Sequence, residues 1–372
     1  MLSFATATKS SLDDAPQIIS SAAARGLETS LTFTPRPGEG LEELFGRLAD
    51  ALPDTTIVQM LVFGSVNATA AGTEAMRRRF GNVDWPVTWV EGGACDDNPI
   101  AGIQIFGLVG GEVERLRLGG RVVGSVFDDG SARHCWLGGL GPVENSSSRA
   151  EQTRQTLEQL EQTLGLAGFS LADVVRTWFF LEDILSWYDD FNRARNEIYS
   201  GVKFRTGSLP ASTGIGAKNP AGTALAVAVW AMQPHNGRAH AREIASPLQC
   251  PAPAYGSSFS RAMEISSPAG RRLLVSGTAS ITPLGRTAHV GDVARQIDLS
   301  MEAVAAILRS RGYTFSDLTR ATAYFKHRAD VRAFTDWCAA HGWRSLPVVA
   351  AHCDICRSDL LFELEADAAQ PG

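Results

Sequence analysis

The chain repeats itself. GFSLADVVRTWFFLED (168–183) and GYTFSDLTRATAYFKH (312–327) align Gly168 with Gly312, Asp173 with Asp317 and Arg176 with Arg320, and an aromatic follows each glycine. Before each block lies a stretch with apolar residues at intervals of three and four, which predicts helices over 149–164 and 293–309. Each block then runs into a strand rich in aromatic and β-branched residues, followed by a second helix over 188–199 and 328–340. Each unit opens with a β-rich segment, RHCWLGGLGP or RLLVSGTASITPLG, that ends in turn residues. A weaker third copy stands first: GLEELFGRLADAL (40–52) reads as helix, TIVQMLVFG (56–64) as strand and GTEAMRRRF (72–80) as helix. Its DWPVTWVEGG…AGIQIFGLVG parallels SLPASTGIG…AGTALAVAVW and SLPVVAAHC…DLLFELEA, each with a proline opening a strand, a gap and a final strand. A period this long means repeated domains and not a solenoid.

The reading is therefore α+β: three units of β-hairpin, helix, strand, helix and two strands. The boundaries fall at 1–113 for a divergent first unit, whose opening strands are missing or divergent, 114–234 for the second and 255–372 for the third. Segment 235–254 is polar and broken by proline and glycine, and is expected to be a linker. A chain of 372 residues suits such a division.

Composition excludes several classes. The net charge of −6 argues against a broad nucleic-acid or membrane footprint, though not against a small basic pocket. No apolar run is long enough to span a bilayer, and MLSFATATKSSLDDAPQ lacks the apolar core of a signal peptide. Six cysteines in so long a chain suggest a reducing cytoplasm and no disulfide framework. His352, Cys353 and Cys356 find no second Cys/His pair at ligand spacing, so no metal is expected. GGLGP (138–142) lacks the lysine of a phosphate loop, and the arginine-rich stretches 77–80 and 112–121 read as solvated faces.

CDICRSDLLFELEADA (353–368) carries the chemistry. Its strand places Glu363 and Glu365 inside an apolar run. With the final strands of the copies aligned, Glu363 falls on Ile105 and Leu225, so only the third copy carries an acid there. A buried carboxyl needs a partner or a shifted pKa, and an apolar pocket would keep it protonated near neutrality as a general acid. The plain alternative is an edge strand with Glu363 in water. Arg357 offers a planar fork suited to a carboxylate, or to a surface ion pair with Asp354 or Asp359. Cys356 is a candidate nucleophile or acid, with a buried inert thiol as its alternative.

The layout resembles the YjgF/RidA family (the chorismate-mutase-like fold), whose small subunits form trimers with sites in the clefts between subunits. Three fused copies would make an intramolecular pseudo-trimer. Within that superfamily the chain most resembles the chorismatases, through LPASTGIG (209–216), AYGSSFSRA (254–262), VSGTASITPLGRTAHVGDVARQ (275–296) and CRSDLLFELEA (356–366). The last matches Cys-Arg-x-x-Leu-Leu-x-Glu-x-Glu residue for residue. The resemblance implies that Glu363 protonates an enolpyruvyl ether, that Arg357 holds a carboxylate, and that Tyr255, Arg261, Gly277, Thr278, Ala279 and Ser280 line the cleft. Ser212, Thr213 and Gly214 would join them from the second unit. Ala279 and Cys356 fall at positions tied to product outcome. Departures are TWFFLEDILSW after Arg176, Cys250 where a tyrosine is expected, and Val348-Val349 after Pro347, where simple RidA deaminases place an arginine. The resemblance implies cleavage of chorismate or a close analogue in secondary metabolism, with no cofactor. Its partner would be a small-molecule carboxylate, without nucleic acid or membrane, on a cytoplasmic monomer or weak dimer. Two rival readings stand beside it: a RidA-type imine or enamine hydrolase, and a non-catalytic metabolite-binding pseudo-trimer.

Overall fold

The computed structural model describes residues 16–22, 26–52, 54–93, 98–145, 147–343 and 345–372; the N-terminal stretch read above for a leader lies outside these up to residue 15. Each copy folds into one sheet covered by two helices. The first unit contains β1 (Gln17–Ala22), β2 (Leu27–Phe33), α1 (Leu41–Asp50), β3 (Thr56–Gly64), α2 (Thr69–Phe80), β4 (Val87–Val90) and β5 (Ile100–Val109), with sheet order β1-β2-β5-β3-β4. The second contains β6 (Glu114–Leu118), β7 (Arg121–Asp128), β8 (Ala132–Leu140), α3 (Arg149–Gly165), β9 (Val174–Leu181), α4 (Tyr188–Ser200), β10 (Ala211–Gly216) and β11 (Leu225–Pro234), ordered β6-β7-β8-β11-β9-β10. The third contains β12 (His240–Ile244), β13 (Ala262–Ser267), β14 (Gly270–Ala279), α5 (Val293–Ser310), β15 (Leu318–Phe325), α6 (Val331–Ala340), β16 (Val348–His352) and β17 (Phe362–Pro371), ordered β12-β13-β14-β17-β15-β16.

The repeated residues have local reasons. Gly168 and Gly312 take φ of 74° and 79° after α3 and α5, the left-handed turn that a Cβ disfavours. The next amides, of Phe169 and Tyr313, bond back to the Leu164 and Leu308 carbonyls. Asp173 and Asp317 then accept from the Ser170 and Thr314 amides in capping boxes that launch β9 and β15.

Both faces of each sheet are buried. In β3, Met60 and Val62 pack under α1 and α2, while Leu61 and Phe63 face the other sheets. The inner faces of all three sheets meet in one central core. There Phe63 contacts Phe180 and Tyr324 edge-on, with ring centroids 6.2 and 5.9 Å apart. These three occupy one register position in the three copies, opposite Gly102, Ala226 and Glu363. The three seams also share one backbone bond: Glu91 to Lys218, Gly216 to Asp354 and His352 to Gly93. The chain is thus a pseudo-trimer closed on itself.

Two expectations need correction and one open choice is decided. Segment 235–254 contains β12, which pairs with β13 as the sheet's outer strand. It is short, polar and mostly exposed, so it carries no hydrophobic period. Of the two alternatives for the first unit's opening strands, missing or divergent, the second holds: they are present as the hairpin of β1 and β2. The strand register also moves the partners of Glu363 from Ile105 and Leu225 to Gly102 and Ala226. A slip of an odd number of residues puts a side chain on the opposite face. The inference that the third copy alone has an acid there is unchanged.

Candidate active site

The seam between the second and third units holds a pocket of about 630 Å³, within the range of small-molecule sites. The third unit supplies one wall. The ladder between β14 and β17 is irregular between Val275 and Thr278, and this irregularity brings Gly277 against Glu363. A Cβ on Gly277 would stand 2.0 Å from Glu363 Oε1, so any larger residue there would displace the Glu363 carboxyl. The loop between β16 and β17 adds Cys356, Arg357 and Leu360. The second unit supplies the opposite wall: Ser212 and Gly214 from β10, and Tyr188, Asn192 and Arg195 from α4.

Glu363 is 4% exposed. No side chain or amide among the described residues hydrogen-bonds to its carboxyl. Burial pushes that carboxyl up to about 8, neighbouring Glu365 adds to the rise, and Arg261 and Arg176 oppose it. The group therefore holds its proton at neutral pH while facing a cavity, as a general acid must.

Glu365, two residues along β17, is fully buried but saturated with partners. Arg176 Nη2 donates to it at 2.7 Å, Arg320 Nη2 at 3.0 Å and Trp178 Nε1 at 3.0 Å, and the Thr213 hydroxyl donates as well. Burial alone would raise its pKa, but Arg320 and Arg176 hold it below the usual carboxylate value. Two carboxyls on one strand face thus sit in opposite protonation states. Arg176 and Arg320, the repeat's shared arginines, converge on this group.

Three arginines line the pocket without a carboxylate partner among the described residues. Arg357 donates from Nη1 to the Gly285 carbonyl at 2.8 Å. Arg261 donates from Nε and Nη2 to the Cys250 carbonyl at 3.0 and 2.9 Å. The two guanidiniums lie 5.2 and 5.4 Å from the centroid of the Tyr255 ring. Arg195, 2% exposed, donates to Asn192 Oδ1 at 2.7 Å and leaves Nε without a partner. Such a lining suits a small acid with more than one carboxylate.

Of the residues singled out from sequence, Glu363, Cys356, Arg357, Tyr255, Arg261, Gly277, Ala279, Ser212 and Gly214 line the pocket together. Thr213, Thr278 and Ser280 do not. The Thr213 hydroxyl turns to Glu365 and accepts from the Gly277 amide at 3.1 Å. The hydroxyls of Thr278 and Ser280 donate to the Ser276 and Ala288 carbonyls. Alternation along β14 points these two away from the cavity while Gly277 and Ala279 face it. Arg357 forms neither of the ion pairs weighed for it with Asp354 and Asp359. Burial pushes the Cys356 thiol up to about 12, so it borders the pocket as a neutral thiol and not as a ready nucleophile. Among the described residues no cluster of three His, Cys, Asp or Glu side chains could hold a metal. The sequence reading missed Arg195, Asn192 and Tyr188. The available signal was a basic residue on the apolar face of α4, four residues after Phe191.

Comparison with known proteins agrees with this architecture. The Endoribonuclease L-PSP family profile matches residues 138–232, within the second unit. A chorismatase from Streptomyces rapamycinicus is 30% identical over 259 residues, which cover 63% of this chain and 75% of that protein. A 3-hydroxybenzoate synthase from Streptomyces hygroscopicus is 30% identical over 253 residues, covering 60% of this chain and 71% of that protein. The crystal structure of a chorismatase superposes with a TM-score of 0.62 over 95% of this chain and 100% of the other, at 20% identity, and so shares the fold. At 30% identity over three quarters of the Streptomyces rapamycinicus chorismatase, the match shows that the chain belongs to the chorismatase family.

Proposed function

We propose that the pocket cleaves the enolpyruvyl ether of chorismate, or of a close enol-ether acid, and releases pyruvate. The observation that carries this reading is Glu363: a buried carboxyl without a hydrogen-bond partner among the described residues, protonated at neutral pH, in a pocket lined by three arginines that pair with no carboxylate among those residues. The relatives' names, chorismatase and 3-hydroxybenzoate synthase, supply the substrate class.

In the proposed reaction Arg357 and Arg261 take the substrate's two carboxylates, and Arg195 adds positive potential from the other wall. Glu363 gives its proton to the methylene carbon of the enol ether, which leaves an oxocarbenium ion and a glutamate anion. Water adds to that ion, and its proton returns to Glu363. The hemiketal then collapses: Glu363 protonates the ring oxygen as its bond to the former enol-ether carbon breaks, the hemiketal hydroxyl returns a proton to Glu363 as it becomes the ketone of pyruvate, and the ring keeps its oxygen as a dihydroxycyclohexadiene carboxylate. If a ring hydroxyl adds in place of water, loss of pyruvate with aromatisation gives 3-hydroxybenzoate. Ala279 and Cys356 border the space where these two captures compete.

The RidA-type imine hydrolase reading loses its footing at Pro347. Val349 is fully buried and packs on Gly102 at a different seam, away from Glu363. The strand beside Glu363 is β10, where Ser212 and not an arginine occupies the register position of Val348. The test is to mix purified protein with chorismate, follow pyruvate by a coupled assay and identify the ring product by mass. Pyruvate from the wild type and none from Glu363→Gln is the expected result. Absence of pyruvate from the wild type would overturn the reading.

A further inference from the structure

We propose that Glu365 is a positioning residue: its carboxylate, locked between Arg176 and Arg320 behind the pocket wall, keeps the proton on Glu363. The inference rests on the reading of Glu363 as the acid. It starts from geometry. Residues two apart on a strand share a face at a separation of about 7 Å. Glu365 accepts from two guanidiniums, an indole and the hydroxyls of Thr213 and Thr322, so its charge is fixed in place. Glu363 has no such donor among the described residues. Of two adjacent buried carboxyls, the one without donors is the one that must stay protonated.

The surroundings leave this role to Glu365. Facing Glu363 are Arg176 from β9, Tyr188 from α4, Tyr255, Arg261, Tyr324 from β15, Cys356 and Arg357. Burial raises the pKa of Tyr188, Tyr255, Tyr324 and Cys356, so all four are neutral at the pH of interest. Asp189 and Asp190 also line the pocket, but Asp189 is exposed and Asp190 is half-buried and paired with Arg193. Burial is the first cause that keeps the proton on Glu363; Arg261 and Arg176 oppose it, and the buried Glu365 anion offsets them. The same carboxylate orders the wall, because the Thr213 hydroxyl that donates to it accepts from Gly277, the residue against which Glu363 lies. The first unit has Gln104 at the register position of Glu365, and the second has Ala228. The two acids therefore occur together, in the third copy.

The test is Glu365→Gln, which keeps the shape and removes the charge. The ionisation of Glu363 is followed without substrate, by carbon NMR of glutamate-labelled protein with the signal assigned through Glu363→Gln. The expected result is a midpoint lower than the wild type's by between about one and two pH units, the size of a charge interaction at this separation. The alkaline limb of pyruvate release should move down with it. If the variant does not fold, the charge-balanced Arg320→Gln/Glu365→Gln pair is used, with a smaller downward shift expected because a cation leaves with the anion. An unmoved midpoint in a folded variant, or a wild-type midpoint near the ordinary carboxylate range, overturns the proposal. A shifted midpoint in a protein that never releases pyruvate would uphold the pairing and sink the function proposed above.

Discussion

Glu363→Gln should make the protein more stable while abolishing its chemistry, and the gain should depend on pH. The carboxyl titrates near 4.5 in an unfolded chain and at about 8 when folded. Between those values the folded state holds a proton that the unfolded state has lost, so stability falls as pH rises, by about 1.4 kcal/mol per unit. At pH 7 that amounts to roughly 3 kcal/mol, and above pH 8 the loss levels off near 5 kcal/mol. Below pH 4.5 this contribution is absent, because both states are protonated. Glutamine does not titrate, so the stability gap between variant and wild type should widen from pH 5 to pH 8 and then level off. Urea unfolding of both proteins across that range, followed by fluorescence, measures the gap directly. Loss of general acid catalysis is worth roughly a hundred- to ten-thousandfold in rate. A gap that stays constant from pH 5 to pH 8 would refute the raised pKa and, with it, the case for Glu363 as an acid held ready.

Three further outcomes follow from the same geometry. Gly277→Ala places a methyl on the Glu363 carboxyl, so turnover should collapse with a stability loss of roughly 1–3 kcal/mol, read by pyruvate assay and thermal melting. Arg176→Met leaves the buried Glu365 charge short of a donor, and should cost roughly 3–5 kcal/mol in a denaturation series. Arg357→Ala removes a charged donor from the pocket but no core packing. It should raise KM by about ten- to a hundredfold with the melting temperature little changed.

The repeat was legible because its residues act locally. Gly168 and Gly312 end helices, Asp173 and Asp317 cap turns, and apolar periods mark the strands and helices that follow, so three units could be read without knowing how they meet. Where local signals fail, the reading failed too. The strand at 240–244 is polar because it is an edge, and the register of the final strands depends on bulges that only the paired partner reveals. Glu363 was conspicuous as an acid in an apolar strand, whereas Arg195 passed as one charge among many on a helix surface.

The sequence by itself determined the number of units, the repeated order of their helices and main strands, and the presence of two carboxyls in an apolar run, since each follows from contacts close along the chain. Only the tertiary structure decided what that carboxyl faces. The seam between the second and third units brings Arg195, Ser212 and Gly214 to Glu363 from more than a hundred residues away. The central core sets Arg176 from one unit and Arg320 from another on Glu365. The protonation of Glu363 reflects the burial and charge that these distant pieces create together, and no pattern along the chain encodes that.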